Sequence, residues 1–349
     1  MRRALLSAGA VALIVLAAAC GSSGSSSSSS SSAAAAPVTL RLGFLANITH
    51  APALVGVDKG FFTKSLGKNV TLSVKIFSTG TEETTAILAG QLDAAYVGPN
   101  PAINAWEKSG GSAIKIISGA ASGGASLVVK SGITSAAQLK GKSLATPSLG
   151  NTQDVALRYW LKQQGLTTTE TGGGDVPIKP TTPNSAAVLE FKSGQIDGAW
   201  EPAPYDAELL ADGGKTLVNE ASLWPGGKFV TTNLVVTQSF LKAHASVVSG
   251  LLKGQIQAND YISKNQAAAE QAANAELTKL TGKGLKSAIL AASFKEITFT
   301  DDPIASSLAT DAQHAEAVGL LKPVKLSGIY DLGPLNTLLT AAGEPNVSS

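Results

Sequence analysis

The folded part of the chain begins with strands in which apolar and polar residues alternate. Residues 38–44 alternate in this way, and residues 70–76 do so more regularly, as half-buried strands do. Between them, an apolar segment that ends at Gly60 predicts a helix over residues 53–59. A third strand is predicted over residues 93–97, and another helix follows it. Strands that alternate with helices in this order predict an α/β fold.

Part of this pattern occurs a second time further along the chain. Gly-Gln-Leu-Asp-Ala at residues 90–94 returns as Gly-Gln-Ile-Asp-Gly at residues 194–198. The correspondence extends upstream, where residues 40–60 match residues 144–165 in a short apolar strand, a polar loop and a helix closed by glycine. A repeated strand–helix unit predicts two similar lobes, and a cleft between lobes is a preferred place for a small ligand.

The chain is predicted to cross between the two lobes twice. A Gly- and Ala-rich stretch at residues 121–125 marks the first crossing, and a strand over residues 229–236 marks the return. Most of the remaining sequence has a helical pattern. We therefore expect lobe 1 over residues 38–122 and 232–349 and lobe 2 over residues 123–231. Each lobe should contain a largely parallel sheet, the C-terminal part should be helical, and two hinge strands should allow the lobes to close.

Residues 1–20 have the features of a secretory signal peptide. Arg2 and Arg3 precede an apolar run over residues 4–19, which ends in small residues before Cys20. The run is too short and too rich in alanine for a membrane span, which needs about 20 apolar residues. The sequence Ala-Ala-Ala-Cys-Gly resembles a lipoprotein cleavage site, so we expect a lipid on Cys20. The alternative is an ordinary secretory signal that happens to contain a cysteine.

A serine-rich segment separates this signal from the folded part of the chain. Residues 21–37 have almost nothing to bury, which predicts a flexible, solvated tether. A lipid anchor, a tether and a folded body together predict an exported protein held at the outer face of the cytoplasmic membrane.

The charge and the cysteine count exclude several classes of function. The 349 residues include 27 Lys+Arg and 25 Asp+Glu, and removal of Arg2 and Arg3 with the signal leaves a neutral chain. We expect no nucleic-acid partner, because binding nucleic acid needs a basic face. Cys20 is the only cysteine and the three histidines lack metal-ligand spacing, so we expect no metal and no cofactor. Without a nucleophile motif or a phosphate-binding loop, no catalytic residue and no enzyme activity are expected.

The loops that follow the predicted strands are the candidate binding site. Ligands of open α/β sheets lie at the carboxyl ends of strands, beside helix N-termini that carry a partial positive charge. Only Arg41 and Arg158 remain after removal of the signal, so an anion would be held by neutral donors. The six loops, residues 47–50, 78–81, 98–100, 150–153, 184–185 and 200–201, are rich in Asn, Thr, Ser and Gly. The candidates for contact with the anionic head are Asn47, Thr79, Thr81, Asn100, Asn151 and Thr152, and further ligand-binding candidates in these loops are Thr49, His50, Gly80, Gly150 and Gln153.

Two aromatic residues and one carboxylate near strand ends extend the candidate site. The repeat aligns Tyr96 with Trp200, and both are candidates to contact the carbon skeleton of a ligand. Each is equally compatible with a place in the core. The carboxylate of Glu201 would repel an anion but would bind an amine. If Glu201 faces the ligand, it favours an aminosulfonate such as taurine. If it faces solvent, it says nothing about the ligand.

Several motifs together resemble one family of binding proteins. They are Ile-Thr-His-Ala-Pro-Ala (48–53), Gly-Pro-Asn-Pro-Ala-Ile (98–103), Ser-Gly-Gly-Ala-Ser (122–126), Gly-Asn-Thr-Gln-Asp (150–154), Trp-Pro-Gly-Gly-Lys-Phe-Val-Thr-Thr (224–232) and Asp-Pro (302–303). The set resembles the substrate-binding proteins of ABC importers in the nitrate, aliphatic-sulfonate and taurine group. The resemblance covers the chain from about residue 38 to its C-terminus.

This resemblance implies a fold, a ligand class and a partner. The fold implied is the two-lobed periplasmic-binding-protein type II fold. The function implied is capture of a small oxyanion, an aliphatic sulfonate or else taurine or nitrate, for delivery to ABC permease subunits, and we expect a monomer. The alternatives are a thiamine-precursor (pyrimidine) binding protein of the same fold and a surface sensory lipoprotein.

The lipid anchor leads to a direct prediction. Metabolic labelling with a radioactive fatty acid should label the wild-type chain but not the Cys20→Ser variant, because the diacylglyceryl thioether needs the thiol sulfur. Equal labelling of the two chains would contradict the anchor.

Overall fold

The computed structural model describes residues 36–181 and 183–349. Residues 1–20, including Cys20, and nearly all of the proposed tether lie outside the described residues. The strands of the described part are β1 (Val38–Leu45), β2 (Val70–Phe77), β3 (Ala94–Val97), β4 (Ile114–Gly123), β5 (Ala125–Lys130), β6 (Leu144–Thr146), β7 (Ile178–Pro180), β8 (Gly198–Pro202), β9 (Gly214–Asn219), β10 (Val230–Thr237) and β11 (Ile297–Phe299).

Helices follow most of these strands, and the C-terminal part is mainly helical, as predicted. They are α1 (Ala51–Asp58), α2 (Phe61–Leu66), α3 (Gly80–Leu88), α4 (Pro99–Lys108), α5 (Thr152–Gln163), α6 (Asn184–Ser193), α7 (Tyr205–Ala211), α8 (Gln238–Ala243), α9 (Ala245–Lys264), α10 (Gln266–Thr281), α11 (Ser287–Lys295), α12 (Ala305–Ala317) and α13 (Gly333–Ala342). Among the described residues, no helix has both the length and the apolar character needed to cross a membrane.

The strands form two sheets, each covered by helices. Sheet A has six strands in the order β11-β4-β10-β3-β1-β2, and sheet B has five in the order β7-β6-β8-β5-β9. In each sheet one strand, β1 or β6, pairs in parallel with two neighbours, and the other pairings are antiparallel. The predicted pair of α/β units is confirmed, although each sheet is more mixed than the largely parallel sheet that we expected.

The sequence repeat corresponds to the parallel part of each sheet. Leu42 of β1 lies opposite Ala94 of β3, and Leu144 of β6 lies opposite Gly198 of β8. The two sheets therefore repeat the same three-strand arrangement, but the structural equivalent of Leu144 is Leu42 and not Leu40, so the first strand is displaced by two residues relative to the sequence alignment.

The aspartate of the repeat has the same structural role in both sheets. The Asp93 carboxylate accepts a hydrogen bond from the Arg41 backbone N–H at 2.8 Å, and that of Asp197 accepts one from the Ser143 N–H at 3.0 Å. In return, the N–H groups of Asp93 and Asp197 donate to the carbonyls of Arg41 and Ser143 at 2.9 and 2.7 Å. Each aspartate thus anchors the start of one strand to the central strand beside it.

Adjacent strands carry the chain between the two sheets. Only Gly124 separates β4 of sheet A from β5 of sheet B, and β10 returns antiparallel to β4 with Val230 opposite Ser122. The Thr231 hydroxyl donates to the Gly123 carbonyl at 2.6 Å and ties the two strands together. The proposed lobe boundaries, 122/123 and 231/232, fall at this pair of strands. The short strand β11, which was not predicted, pairs with the same end of β4 through Ile297 and Gly123.

One glycine of β4 leads to a stability prediction. A Cβ added at Gly119 would lie 2.2 Å from the carbonyl oxygen of Asp302, which is backbone and cannot rotate away. We expect Gly119→Ala to lower the free energy of unfolding by about 1–3 kcal/mol, as overpacking of a core does. Urea denaturation measures this, with Gly132→Ala as the control because its Cβ would meet no heavy atom within 4 Å. Equal midpoints for the two variants would contradict the close packing.

Candidate ligand-binding site

Loops from both sheets converge on one small cavity of about 30 Å³. Five of the six predicted loops contribute residues to its wall. The sixth, residues 200–201, does not, but Pro202 directly after it does. The cavity is lined by Leu45, Asn47, Thr49, His50, Ser78, Thr79, Gly80, Gly98, Pro101, Pro147, Asn151, Thr152, Gln153, Asn184, Pro202 and Thr231.

Four helix N-termini meet at this cavity. The lining includes Gly80 at the start of α3, Gly98 just before α4, Asn151 just before α5 and Asn184 at the start of α6. The first N–H groups of a helix have no partner within the helix and carry a partial positive charge. In the first turn of α4 only Asn100 offers such a group, because Pro99 and Pro101 have no N–H. Two of these helices belong to the connections of sheet A and two to those of sheet B, so an anion here would be contacted from both sides of the cleft.

Side-chain caps hold two of these helix ends in place. The Thr79 hydroxyl oxygen accepts a hydrogen bond from the Glu82 N–H at 3.1 Å, and the Asn151 side-chain oxygen accepts one from the Asp154 N–H at 3.0 Å. The Glu82 carboxylate accepts from the Ser78 N–H at 3.2 Å. Thr79 thus caps α3, and the Glu82 side chain accepts its hydrogen bond from Ser78, the residue before the cap.

Among the described residues, no charged side chain lines the cavity. Its one titratable residue is His50, and burial lowers the pKa of this side chain to about 3, which keeps it neutral. The His50 Nδ1 accepts a hydrogen bond from the Leu45 N–H at 3.2 Å, so the proton of the neutral ring is on Nε2. The wall therefore offers neutral donors only.

A buried ion pair supports the loop that leads into α5. The Asp154 carboxylate accepts hydrogen bonds from the Thr146 hydroxyl at 2.8 Å, the Gly150 N–H at 2.9 Å and the Arg158 Nε at 2.9 Å. Arg158 also donates to the Thr169 carbonyl. Both members of the pair are buried, so Arg158 orders the loop and does not line the cavity.

Most of the predicted head-group residues line the cavity, and three do not. Those in the lining are Asn47, Thr49, His50, Thr79, Gly80, Asn151, Thr152 and Gln153. The Thr81 hydroxyl instead lies 3.5 Å from the Ser148 hydroxyl, across the cleft between the two sheets. The buried Asn100 side chain donates to the Asp311 carbonyl at 3.4 Å, and the Gly150 N–H is used by Asp154.

The structure places Tyr96 and Trp200, the candidates for contact with the carbon skeleton of a ligand, away from the cavity. Both are fully buried in hydrophobic cores, and neither lines the cavity. The Tyr96 hydroxyl donates to Gln255, and the Trp200 Nε1 donates to the Glu220 carboxylate at 2.7 Å. The physical reason is that both lie inside strands, where their faces pack against helices, and not beyond the strand ends.

Glu201 is also buried and lies outside the cavity wall. Its two carboxylate oxygens have no hydrogen-bond partner among the described residues. Burial, together with the nearby Asp206, raises the pKa of the Glu201 carboxyl well above its usual range, which favours the neutral acid. Because Glu201 does not line the cavity, it gives no reason to prefer an aminosulfonate.

The sequence reasoning missed lining residues outside the loops that it selected. Pro147 and Pro202 lie beside selected loops, and Leu45 is at the end of β1. Thr231 comes from the returning strand β10, far from the other loops in sequence. The motif at residues 224–232, which contributed to the resemblance, contained Thr231 and was the available signal.

Comparison with known proteins identifies the family. A family model described as the NMT1-like family matches residues 33–276. The chain belongs to this family. This chain is 27% identical over 233 residues to the taurine-binding periplasmic protein of Escherichia coli (strain K12). The aligned residues cover 66% of this chain and 70% of that protein. The resemblance to the nitrate, sulfonate and taurine group is thereby confirmed.

Solved structures share the fold of this NMT1-like protein. The alkanesulfonate-binding protein from Xanthomonas axonopodis pv. citri, bound to MOPS, matches 86% of this chain and 100% of its own with a TM-score of 0.70 and 18% identity. The periplasmic nitrate-binding protein from Synechocystis PCC 6803 matches 88% of this chain and 90% of its own with a TM-score of 0.76 and 16% identity. The two-lobed periplasmic-binding-protein fold is therefore confirmed.

The buried pair beneath the cavity leads to a prediction. Asp154→Asn should lower the free energy of unfolding by about 3–5 kcal/mol, because it leaves the buried Arg158 charge without its partner. Asp260→Asn is a matched control, since Asp260 forms an exposed pair with Lys264 at the same helical spacing and should cost less than about 1 kcal/mol. Chemical denaturation of both variants makes the comparison. Similar losses in the two would show that the buried pair has no special role.

Proposed function

We propose that this protein is the substrate-binding component of an ABC import system that captures a small oxyanion in the cavity between its sheets. The observation that carries the proposal is the cavity wall, which combines four helix N-termini with neutral side chains. A membrane permease would receive the ligand.

The wall suits an anion for electrostatic reasons. Helix N-termini stabilise negative charge through their dipoles and their free N–H groups. The hydroxyls of Thr49, Thr79 and Thr152 and the side-chain amides of Asn47 and Gln153 are additional candidates to donate hydrogen bonds to an oxyanion. Hydrogen bonds to a charged group contribute about 1.5–3 kcal/mol each, so a few of them suffice for tight binding.

The ligand class rests on the relatives and on the neutral hydrogen-bonding groups of the cavity wall. Relatives and structural neighbours are described as binding taurine, alkanesulfonates and nitrate. An aliphatic sulfonate is our preferred ligand, with taurine and nitrate as the related choices.

Capture would bring the two sheets together around the ligand. The anion contacts would come from α3 and α4 on one side and from α5 and α6 on the other. The Thr81 and Ser148 hydroxyls, 3.5 Å apart, lie where the two sides approach each other. A ligand that contacts both sides stabilises the closed arrangement by its differential affinity, and the β4–β10 pair is the proposed hinge.

The remaining parts of the proposal follow from the same role. A binding component needs no catalytic residue, and we expect it to act as a monomer that docks on permease subunits. Lipid on Cys20 would keep it at the outer face of the cytoplasmic membrane, close to that permease. Export is consistent with the periplasmic binding proteins among its relatives.

Removal of one hydroxyl tests the anion site. Thr152→Val keeps the shape of the side chain and removes its donor at the start of α5, so binding of ethanesulfonate, taurine or nitrate should weaken about ten-fold or more. Calorimetry on the wild type identifies which anion binds and then measures the variant. Thr337→Val, which changes an exposed hydroxyl on α13, is the control and should bind as the wild type does.

Two outcomes would contradict the proposal. Unchanged affinity in Thr152→Val would place the anion elsewhere. Binding of uncharged pyrimidines without binding of any anion would favour the thiamine-precursor alternative.

A further inference from the structure

One helix that supplies part of the anion cavity is held from both sides of the cleft. It is α5, whose N-cap Asn151 and first residues Thr152 and Gln153 line the cavity. Leu157 and Leu161 of α5 are buried in a hydrophobic cluster with residues of sheet B. Another part of α5 contacts α12.

The helix α12 belongs to the sheet A side of the molecule, by which we mean sheet A and the helices packed on it. Leu308, Ala312 and Ala315 of α12 are buried in one cluster with Val235 of β10. Val155 of α5 lies in the same cluster. Val155 therefore packs into the core of sheet A, although its helix follows a strand of sheet B.

An aromatic stack lies within the contact between α5 and α12. The His314 ring on α12 stacks on the Tyr159 ring on α5, with centroids 3.6 Å apart and planes inclined by 15°. The Trp224 ring, from the segment after β9 of sheet B, lies 5.5 Å from the His314 ring and is stacked on Phe229. Burial lowers the pKa of His314 to about 4, so the ring is neutral at neutral pH. One side chain of the sheet A side thus contacts two rings that follow strands of sheet B.

The contact continues to the end of both helices. Val155, Tyr159 and Lys162 are spaced by four and then three residues, so they share one face of α5. The Lys162 ammonium donates a hydrogen bond to the carbonyl of Ala317, the last residue of α12. A cation is stabilised at this end of a helix by the helix dipole. The face of α5 that contacts α12 therefore runs from its first turn to its last.

We infer that α12 clamps α5 against the sheet A side, and that His314 is a positioning residue for the anion site because it fixes where the N-terminus of α5 lies. The two walls of that site are close together, since a Cβ added at Gly98 would lie 2.7 Å from the Thr152 hydroxyl oxygen. His314 does not line the cavity and therefore acts through α5. The effect on affinity rests on the proposed function, whereas the clamp itself does not.

Anion affinity is the first test of the clamp. A ligand that binds only the clamped arrangement loses apparent affinity as fewer molecules adopt that arrangement. His314→Ala should weaken binding of methanesulfonate, taurine or nitrate, whichever the wild type binds, about two- to ten-fold, as the loss of one aromatic pair does. His314→Phe keeps a ring in the stack and should bind as the wild type does. Calorimetry at neutral pH measures both variants.

Spin-label distances test the clamp on the full chain without any ligand. Cys20→Ser removes the only cysteine, and Lys192→Cys on α6 with Lys283→Cys between α10 and α11 then places one exposed label on each side of the cleft. The ligand-free chain should give one narrow distance distribution. His314→Ala should broaden it or add a second distance, and His314→Phe should not.

His244→Ala is the matched control for both measurements. The His244 ring also packs on an aromatic ring, that of Phe240 at 4.7 Å, but both residues belong to the sheet A side. This substitution removes a comparable contact that does not connect the two sides of the cleft. It should therefore leave the label distances and the anion affinity unchanged.

The outcomes separate this inference from the proposed function. An unchanged distance distribution in His314→Ala would overturn the clamp. A changed distribution with unchanged affinity would overturn the positioning role, and so would equal weakening of binding by His314→Ala and His244→Ala. If no anion binds to the wild type, the proposed function fails, while the label distances still decide whether the clamp exists.

Discussion

The site depends on one electrostatic constraint, which is that an anion must be stabilised in a cavity whose wall carries no positive side chain. Only backbone dipoles and neutral donors are available, and four helices direct their N-terminal ends at one small space. Each helix end offers a partial positive charge. Because the helices are divided between the two sheets, an anion held as we propose would be contacted from both sides of the cleft, and its binding would depend on the relative position of the sheets.

Several charged side chains hold the strands and loops around the cavity in place. Asp93 and Asp197 anchor equivalent strands through reciprocal backbone hydrogen bonds, and Asp154 with Arg158 shapes the loop before α5. These bonds position the strand and the loop from which the helix ends start. In the proposed site the roles are divided, since charged side chains organise the scaffold and neutral groups would contact the ligand.

Much of the fold and of the candidate site could be predicted because both are encoded locally. The Gly-x-x-Asp repeat marks the aspartate that forms reciprocal backbone hydrogen bonds once in each sheet. The loop that follows each strand can be located from the residues next to it in sequence. Side-chain direction was not predictable in the same way. Tyr96 and Trp200 lie near strand ends in sequence, but which face of a strand is buried depends on the helices packed against it, and these come from distant parts of the chain. Thr231 and the three-residue strand β11 were missed for the same reason, since both acquire their roles through pairing with β4.

A wall made of backbone dipoles recognises negative charge but distinguishes poorly between oxyanions, because planar and tetrahedral heads of similar size accept hydrogen bonds from the same donors. Selectivity in such a protein must therefore come from whatever contacts the remainder of the ligand. Here the space beside the proposed anion site is bounded by α6, which belongs to the repeated part of the fold, and by α10 and α11, which do not. Neither α10 nor α11 contributes a described residue to the wall of the anion cavity. Substitutions in these two helices would therefore change the surroundings of the rest of a ligand and leave the helix ends at the proposed head site in place.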